Sequence, residues 1–198
     1  MKKGRAVDIQ KLQNDVQWAL ERGLHARDVV PMLERLREHA PRGSTAARFA
    51  GTELAELLLS TSPWRSAVLA HEVLRYEESD RTWAVLGLSL TLLGHYRSAK
   101  RAFVKALAFA PGCASYAHNL GHLLDAALGR PAEALPWLSR AFDARPNDEE
   151  VAASYAHALV RLGRRAEAHQ VLERALGPGS PEAASLLARW LIPPDTRP

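Results

Sequence analysis

The chain has 198 residues, enough for one domain with a full core, and 47% of them are hydrophobic, which excludes a chain disordered by composition. Its formal net charge of +4 admits an acidic partner without requiring one. The single cysteine, Cys113, excludes an internal disulfide, and no stretch approaches the ~20 apolar residues that a membrane-spanning helix needs.

Alanine, leucine and arginine dominate and β-branched residues are few, which points to an all-helical protein. The same richness in arginine and alanine points to a GC-rich, bacterial genome. Residues 1–7 read as a loose basic end with no apolar run behind it, so no secretory signal is read there and a soluble, cytoplasmic protein is expected. Asp8 is placed to cap a helix running to about Arg22, with Ile9, Leu12, Val16 and Leu20 on one face, and Gly23 ends it. Asp28 is placed to cap a second helix to about Ala40, with Val30, Leu33 and Leu36 facing inward, before Pro41 and Gly43. Residues 1–44 thus form a helix pair, a degenerate repeat or a cap. Residues 45–79 carry another pair: Leu54, Ala55 and Leu58 suit its first helix, Ser62 and Pro63 the turn, and Trp64, Ala67 and Leu74 a shorter second helix.

The stretch Asp80–Cys113 is 34 residues long and has the clearest pattern. Trp83, Leu86 and Leu90 recur at three and four residues and line one helix face. Gly87 has no side chain and admits a close second helix. Gly94 falls just past the first helix, where a left-handed residue ends one. Ala99, Phe103, Ala106 and Leu107 form the matching stripe, and Pro111 stops the second helix. Cys113 sits at the junction to the next unit and is read as a packing residue.

These offsets, together with Tyr96 before the second stripe, closely resemble the tetratricopeptide-repeat family. The resemblance continues over 114–148 through Leu120, Gly121, Leu124, Gly129, Ala134, Leu138, Ala141 and Pro146, where Pro111 and Pro146 are 35 apart. The extra residue falls near Ala126–Leu128, and a frayed or overwound last turn of the first helix is expected there. It continues over 149–180 through Tyr155, Ala156, Leu159, Gly163, Ala168, Leu172 and Ala175, closed by Gly177–Pro178–Gly179. Ser180 then caps a helix over 181–192 whose Leu186, Leu187, Trp190 and Leu191 cover the last repeat, and 193–198 reads as a disordered tail. The resemblance implies a right-handed all-α solenoid of antiparallel helix pairs with a C-terminal capping helix. It also implies a concave groove lined by the first helix of each pair.

First-helix positions not used by packing are the candidate groove residues. They are Arg81, Ala84, Val85, Leu88 and Thr91; then Ser115, His118, Asn119, His122 and Asp125; then Glu150, Ala153, Ser154, His157 and Arg161. Ala84, Val85 and Leu88 read as an apolar strip, and the later positions as a polar patch, a surface suited to a peptide or helix of another protein. Asn119 stands where peptide-binding members of the resembled family hold a ligand backbone. Arg81 and Arg161 are the only strong bases in the set, too few for the clamp on a terminal carboxylate found in some of those members.

The same residues admit other readings. His118, His122 and Asp125 share a face at offsets of four and three, with His157 on the next repeat, the spacing of a divalent metal site. The plainer reading is a polar groove with neutral histidines, and no metal or cofactor is assigned. No paired nucleophile and base stands at a motif spacing, so no enzyme activity is expected. Arg97, Lys100, Arg101 and Lys105 form a basic face on the back of the clearest repeat, read as a solvated surface rather than a nucleic-acid site. The expected partner is therefore another protein, with no nucleic acid and no membrane insertion. Two functions compete: a scaffold binding a peptide or helix, and a dedicated chaperone shielding a client's apolar segment on the Val85–Leu88 strip.

Overall fold

The computed structural model describes residues 7–191, except the side chain of Leu191. The start of the basic N-terminal end and the tail over 193–198 lie outside the described residues. Those residues hold eleven α-helices and no strand: α1 Ile9–Glu21, α2 Ala26–His39, α3 Thr45–Leu57, α4 Pro63–Leu74, α5 Asp80–Leu92, α6 Tyr96–Phe109, α7 Ala114–His122, α8 Pro131–Ala144, α9 Glu149–Arg161, α10 Arg165–Leu176 and α11 Pro181–Leu191. The helices fall into two compact units, 1–102 and 103–198, divided within α6.

In the first unit each helix packs on the next from α1 to α5, and the alternate helices α1, α3 and α5 also touch. Val16, Ala19, Val29, Leu33, Leu36, Ala50, Leu54, Ala55 and Ala70 form a continuous core with Val85 and Leu86 of α5. Side-chain oxygens cap three of these helices: Asp8 accepts from the Lys11 amide at 3.0 Å, Ser44 from Ala47 at 3.3 Å and Ser79 from Thr82 at 3.2 Å. The end of α5 forms a Schellman turn. Gly94, at φ 76°, donates to the Thr91 carbonyl at 3.0 Å, and His95 donates to that of Leu90 at 2.8 Å. Only glycine takes that φ without crowding from a Cβ.

Three expectations need correction here. Asp28 does not cap α2, which starts earlier, at Ala26, behind His25; Asp28 lies in the first turn, where its charge complements the helix dipole. The inward residue is Val29, with Val30 half-buried, because the earlier start rotates the face. Trp64 is 61% exposed, since α4 buries the face carrying Ser66, Ala67, Ala70 and Val73.

In the second unit α7 packs on α8, α8 on α9, α9 on α10 and α10 on α11, and the alternate helices α7, α9 and α11 touch. Leu120, Leu124, Leu138, Ala141, Ala156, Leu159, Ala168 and Leu172 are fully or almost fully buried. Gly121 marks a close approach of α7 to α8. A Cβ built on it would stand 2.6 Å from Leu138 Cγ and 3.3 Å from the Leu138 backbone nitrogen.

The extra residue before Gly129 neither frays nor overwinds α7. Residues Leu123–Ala127 form a π-turn, an underwound segment that keeps Leu123 and Leu124 buried. Leu128 donates to the Leu123 carbonyl at 3.0 Å, and Arg130 to that of Leu124 at 2.8 Å. Widening the turn absorbs one residue without ending the helix.

An arginine joins neighbouring first helices in each unit. Arg81 of α5 reaches two acids of α3: its Nη1 donates to Glu53 Oε1 at 2.6 Å and its Nε to Glu56 Oε1 at 2.5 Å. These bonds, those to Glu56 first, raise the Arg81 pKa above its already high ordinary value. Arg161 of α9 donates through Nη1 to Asp125 Oδ1 at 2.8 Å and to the Asp125 carbonyl at 2.5 Å. Asp125 lies in the π-turn and is 2% exposed.

Gly121→Leu is expected to destabilise the chain by about 2 kcal/mol, through overpacking against α8. The melting temperature should fall by roughly 4–8 °C for a chain of this size; an unchanged melt would show that α7 and α8 are not held this closely. Arg161→Ala should cost about 3 kcal/mol, since it leaves a buried carboxylate without its guanidinium. Asp125→Ala should cost less, about 1–2 kcal/mol, because the freed guanidinium returns to water. Urea unfolding of both variants reads the order, and the reverse order or no loss in either refutes the tie.

Candidate functional site

Five of the expected groove residues, Arg81, Ala84, Val85, Leu88 and Thr91, lie in the first unit, and packing and internal hydrogen bonds have taken up most of them. Ala84 and Val85 are 5% and 4% exposed. The apolar strip expected on an open groove is therefore mainly core: α5 lies against α3 and α4, and its second apolar face is needed there. Leu88 is half-buried. Arg81 is exposed, but its guanidinium is spent on Glu53 and Glu56.

The second unit brings the remaining residues onto adjacent helices. Ser115, His118, Asn119 and His122 come from α7, Asp125 from the π-turn, and Ser154, His157 and Arg161 from α9. Ser154 is the meeting point. Its Oγ lies 3.0 Å from His118 Nε2 and 3.2 Å from His122 Nδ1. A hydroxyl has one proton, so it donates to one imidazole and accepts from the other. His118 is buried at 7% exposure. That burial lowers its pKa below the ordinary histidine value, against the opposing charge of Glu150, and keeps the ring neutral at neutral pH.

His157 belongs to a different set. Its Nδ1 donates to Asp125 Oδ2 at 2.5 Å, and its ring meets Trp190 of α11 edge-on, centroids 5.3 Å apart. Asp125 is therefore shared between His157 and Arg161, and is closed to other ligands. This divides the histidines that the sequence put together: His118 and His122 turn to Ser154, and His157 to Asp125. Among the described residues no three His, Cys, Asp or Glu side chains converge to hold a metal ion. The serine and the aspartate also use different imidazoles, so Ser154, His157 and Asp125 do not form a nucleophile relay.

What remains open is a band of polar groups. Ser115 and His122 are exposed, and Asn119, Ser154 and His157 are half-buried. The Asn119 amide has no hydrogen-bond partner among the described residues, whereas the histidines a residue before it and three after it are tied to Ser154. No local pattern signals that Ser154 gathers both rings, because the partners are 32–36 positions apart.

Comparison with known proteins agrees with this architecture. Residues 80–113 and residues 125–190 each match a tetratricopeptide-repeat sequence profile, together about half of the chain. A 104-residue segment is 38% identical to protein FlbA of Caulobacter vibrioides; it spans 52% of this chain and 17% of FlbA, so the chain matches only a small part of that relative. Among solved structures, the fold resembles MamA 41-end from Desulfovibrio magneticus RS-1, with a TM-score of 0.73 at 18% identity, covering 89% of this chain and 100% of that one. It also resembles MamA AMB-1, with a TM-score of 0.68 at 23% identity, covering 89% and 96%. These likenesses show the fold, an all-α solenoid built from helix pairs. With helix pairs in both units, the 34-residue signature at Asp80–Cys113 and two matching profiles, the chain is a member of the tetratricopeptide-repeat family.

Proposed function

We propose that this chain is a protein-interaction scaffold that holds a peptide or helix of a partner protein on the open face of α7 and α9. One observation carries the reading: Asn119 offers an unpartnered amide on a first helix, between imidazoles fixed by Ser154. A primary amide has two donors and an acceptor, and so can meet both polarities of a peptide backbone. Fixed neighbours keep the loss of side-chain freedom on binding small.

The charges narrow the partner further. Arg161 is held by Asp125 and Arg81 by Glu53 and Glu56, so neither is free to clamp a terminal carboxylate. The chaperone alternative rested on an exposed apolar strip, and the burial of Ala84 and Val85 takes away most of it. The metal alternative needed Asp125 and His157, which bind each other. No helix among the described residues is long and apolar enough to cross a membrane.

The combined variant Asn119→Ala, His122→Ala should lose a partner that the wild-type chain captures, while its melting temperature moves by no more than a few degrees. Quantitative pulldown of the two proteins side by side, followed by thermal melts, tests this. Capture of the same partners in the same amounts by the variant would exclude the α7–α9 face as the docking surface.

A further inference from the structure

A large concavity of the first unit lies away from the groove positions. It is a pocket of about 760 Å³, walled by α2 and α4 and floored by Ala47, Gly51 and Leu54 of α3. Small-molecule sites fall in the range of ~300–1,000 Å³. The small side chains of Ala47 and Gly51 leave the floor low.

Five arginines line it against three glutamates. Three of the arginines hold the walls. Arg37 of α2 donates to Glu72 of α4, and Arg65 of α4 donates to Glu34 of α2 at 2.9 Å, so two ion pairs cross in opposite directions. Arg48 of α3 donates through Nη1 to the Gly43 carbonyl at 2.5 Å and lies 2.6 Å from Glu77 through Nε, which fixes the turn at the pocket's end. The other two, Arg35 and Arg42, have no hydrogen-bond or ion-pair partner among the described residues. Glu38, between them in the chain, is the one lining carboxylate likewise without a partner. Tyr76, half exposed, stands over Gly43 and presents an aromatic ring to the cavity.

We infer that this pocket binds a phosphorylated small molecule of nucleotide size. Two free guanidiniums offer paired N–H donors that match phosphate oxygens, and the charge of both is permanent. With the walls already braced by the committed ion pairs, only the ligand-facing groups need to order on binding. Glu38 opposes a bare anion, but accepts from the hydroxyl or amino donors that a nucleotide carries beside its phosphates. The Tyr76 ring supplies apolar area for a base. The site shares no residue with the α7–α9 face, so it stands or falls independently of the scaffold reading.

Isothermal titration of the whole chain with ADP, pyrophosphate and adenosine tests it. Saturable one-to-one binding of ADP is expected, with pyrophosphate weaker and adenosine undetectable. Arg35→Ala combined with Arg42→Ala should weaken ADP binding by at least about tenfold, since charge-assisted bonds to phosphate are lost. Arg97→Ala, an exposed arginine on α6, should leave it unchanged. Both pocket arginines are exposed, so the double variant should melt within a few degrees of wild type. The inference is overturned by the absence of saturable binding of ADP or pyrophosphate up to millimolar concentration. It is equally overturned by ADP binding that survives the double substitution, or by adenosine binding as tightly as ADP.

Discussion

Close approach between paired helices is the constraint on which the rest of this structure depends. It is set by what is missing from the side chains. Gly121 admits Leu138 to a distance that no Cβ would tolerate, and Gly51 does the same for Val73. Around these points the core is largely alanine and leucine: Ala50, Ala55, Ala99, Ala106, Ala134, Ala141, Ala156 and Ala168 are fully buried. Small residues let backbones come together, and leucines fill the space between them. A helix pair built this way has one apolar face left over, which the next pair covers.

A second layer of order is electrostatic. Arg81 binds Glu53 and Glu56 of the preceding first helix, and Arg161 binds Asp125 in the same sense. The acids are the more buried partners: Glu53 is 9% exposed and Asp125 2%. A buried carboxylate needs a cation and hydrogen bonds to be stable, so each arginine is committed to the fold before any ligand arrives. The same rule separates the arginines of the α2–α4 pocket. Those with a facing acid brace the walls, and those without one remain open.

The π-turn links these two layers. One added residue could have shifted every later side chain of its helix around the axis. Instead the turn widens over Leu123–Ala127, the leucines stay inside, and Asp125 meets Arg161 with both its carboxylate and its carbonyl. The helix that carries the inserted residue is thereby fastened to its neighbour at the point of insertion.

The sequence alone determined the repeat, and the reasons are local. Apolar spacing of three and four, and in every pair but α3–α4 a glycine after the first helix and a proline after the second, all act within a few residues, so they are visible without knowing what packs on what. Asp8 and Ser180 cap the helices they were expected to cap for the same reason. The candidate site was legible only as positions. That Ala84 and Val85 turn inward, that Arg81 and Arg161 are neutralised, and that Ser154 draws His118 and His122 away from His157 depend on partners 25–36 residues distant. Helical periodicity gives each residue a direction from its own axis. Only the tertiary packing decides whether that direction leads to solvent, to a neighbouring core or to an opposite charge.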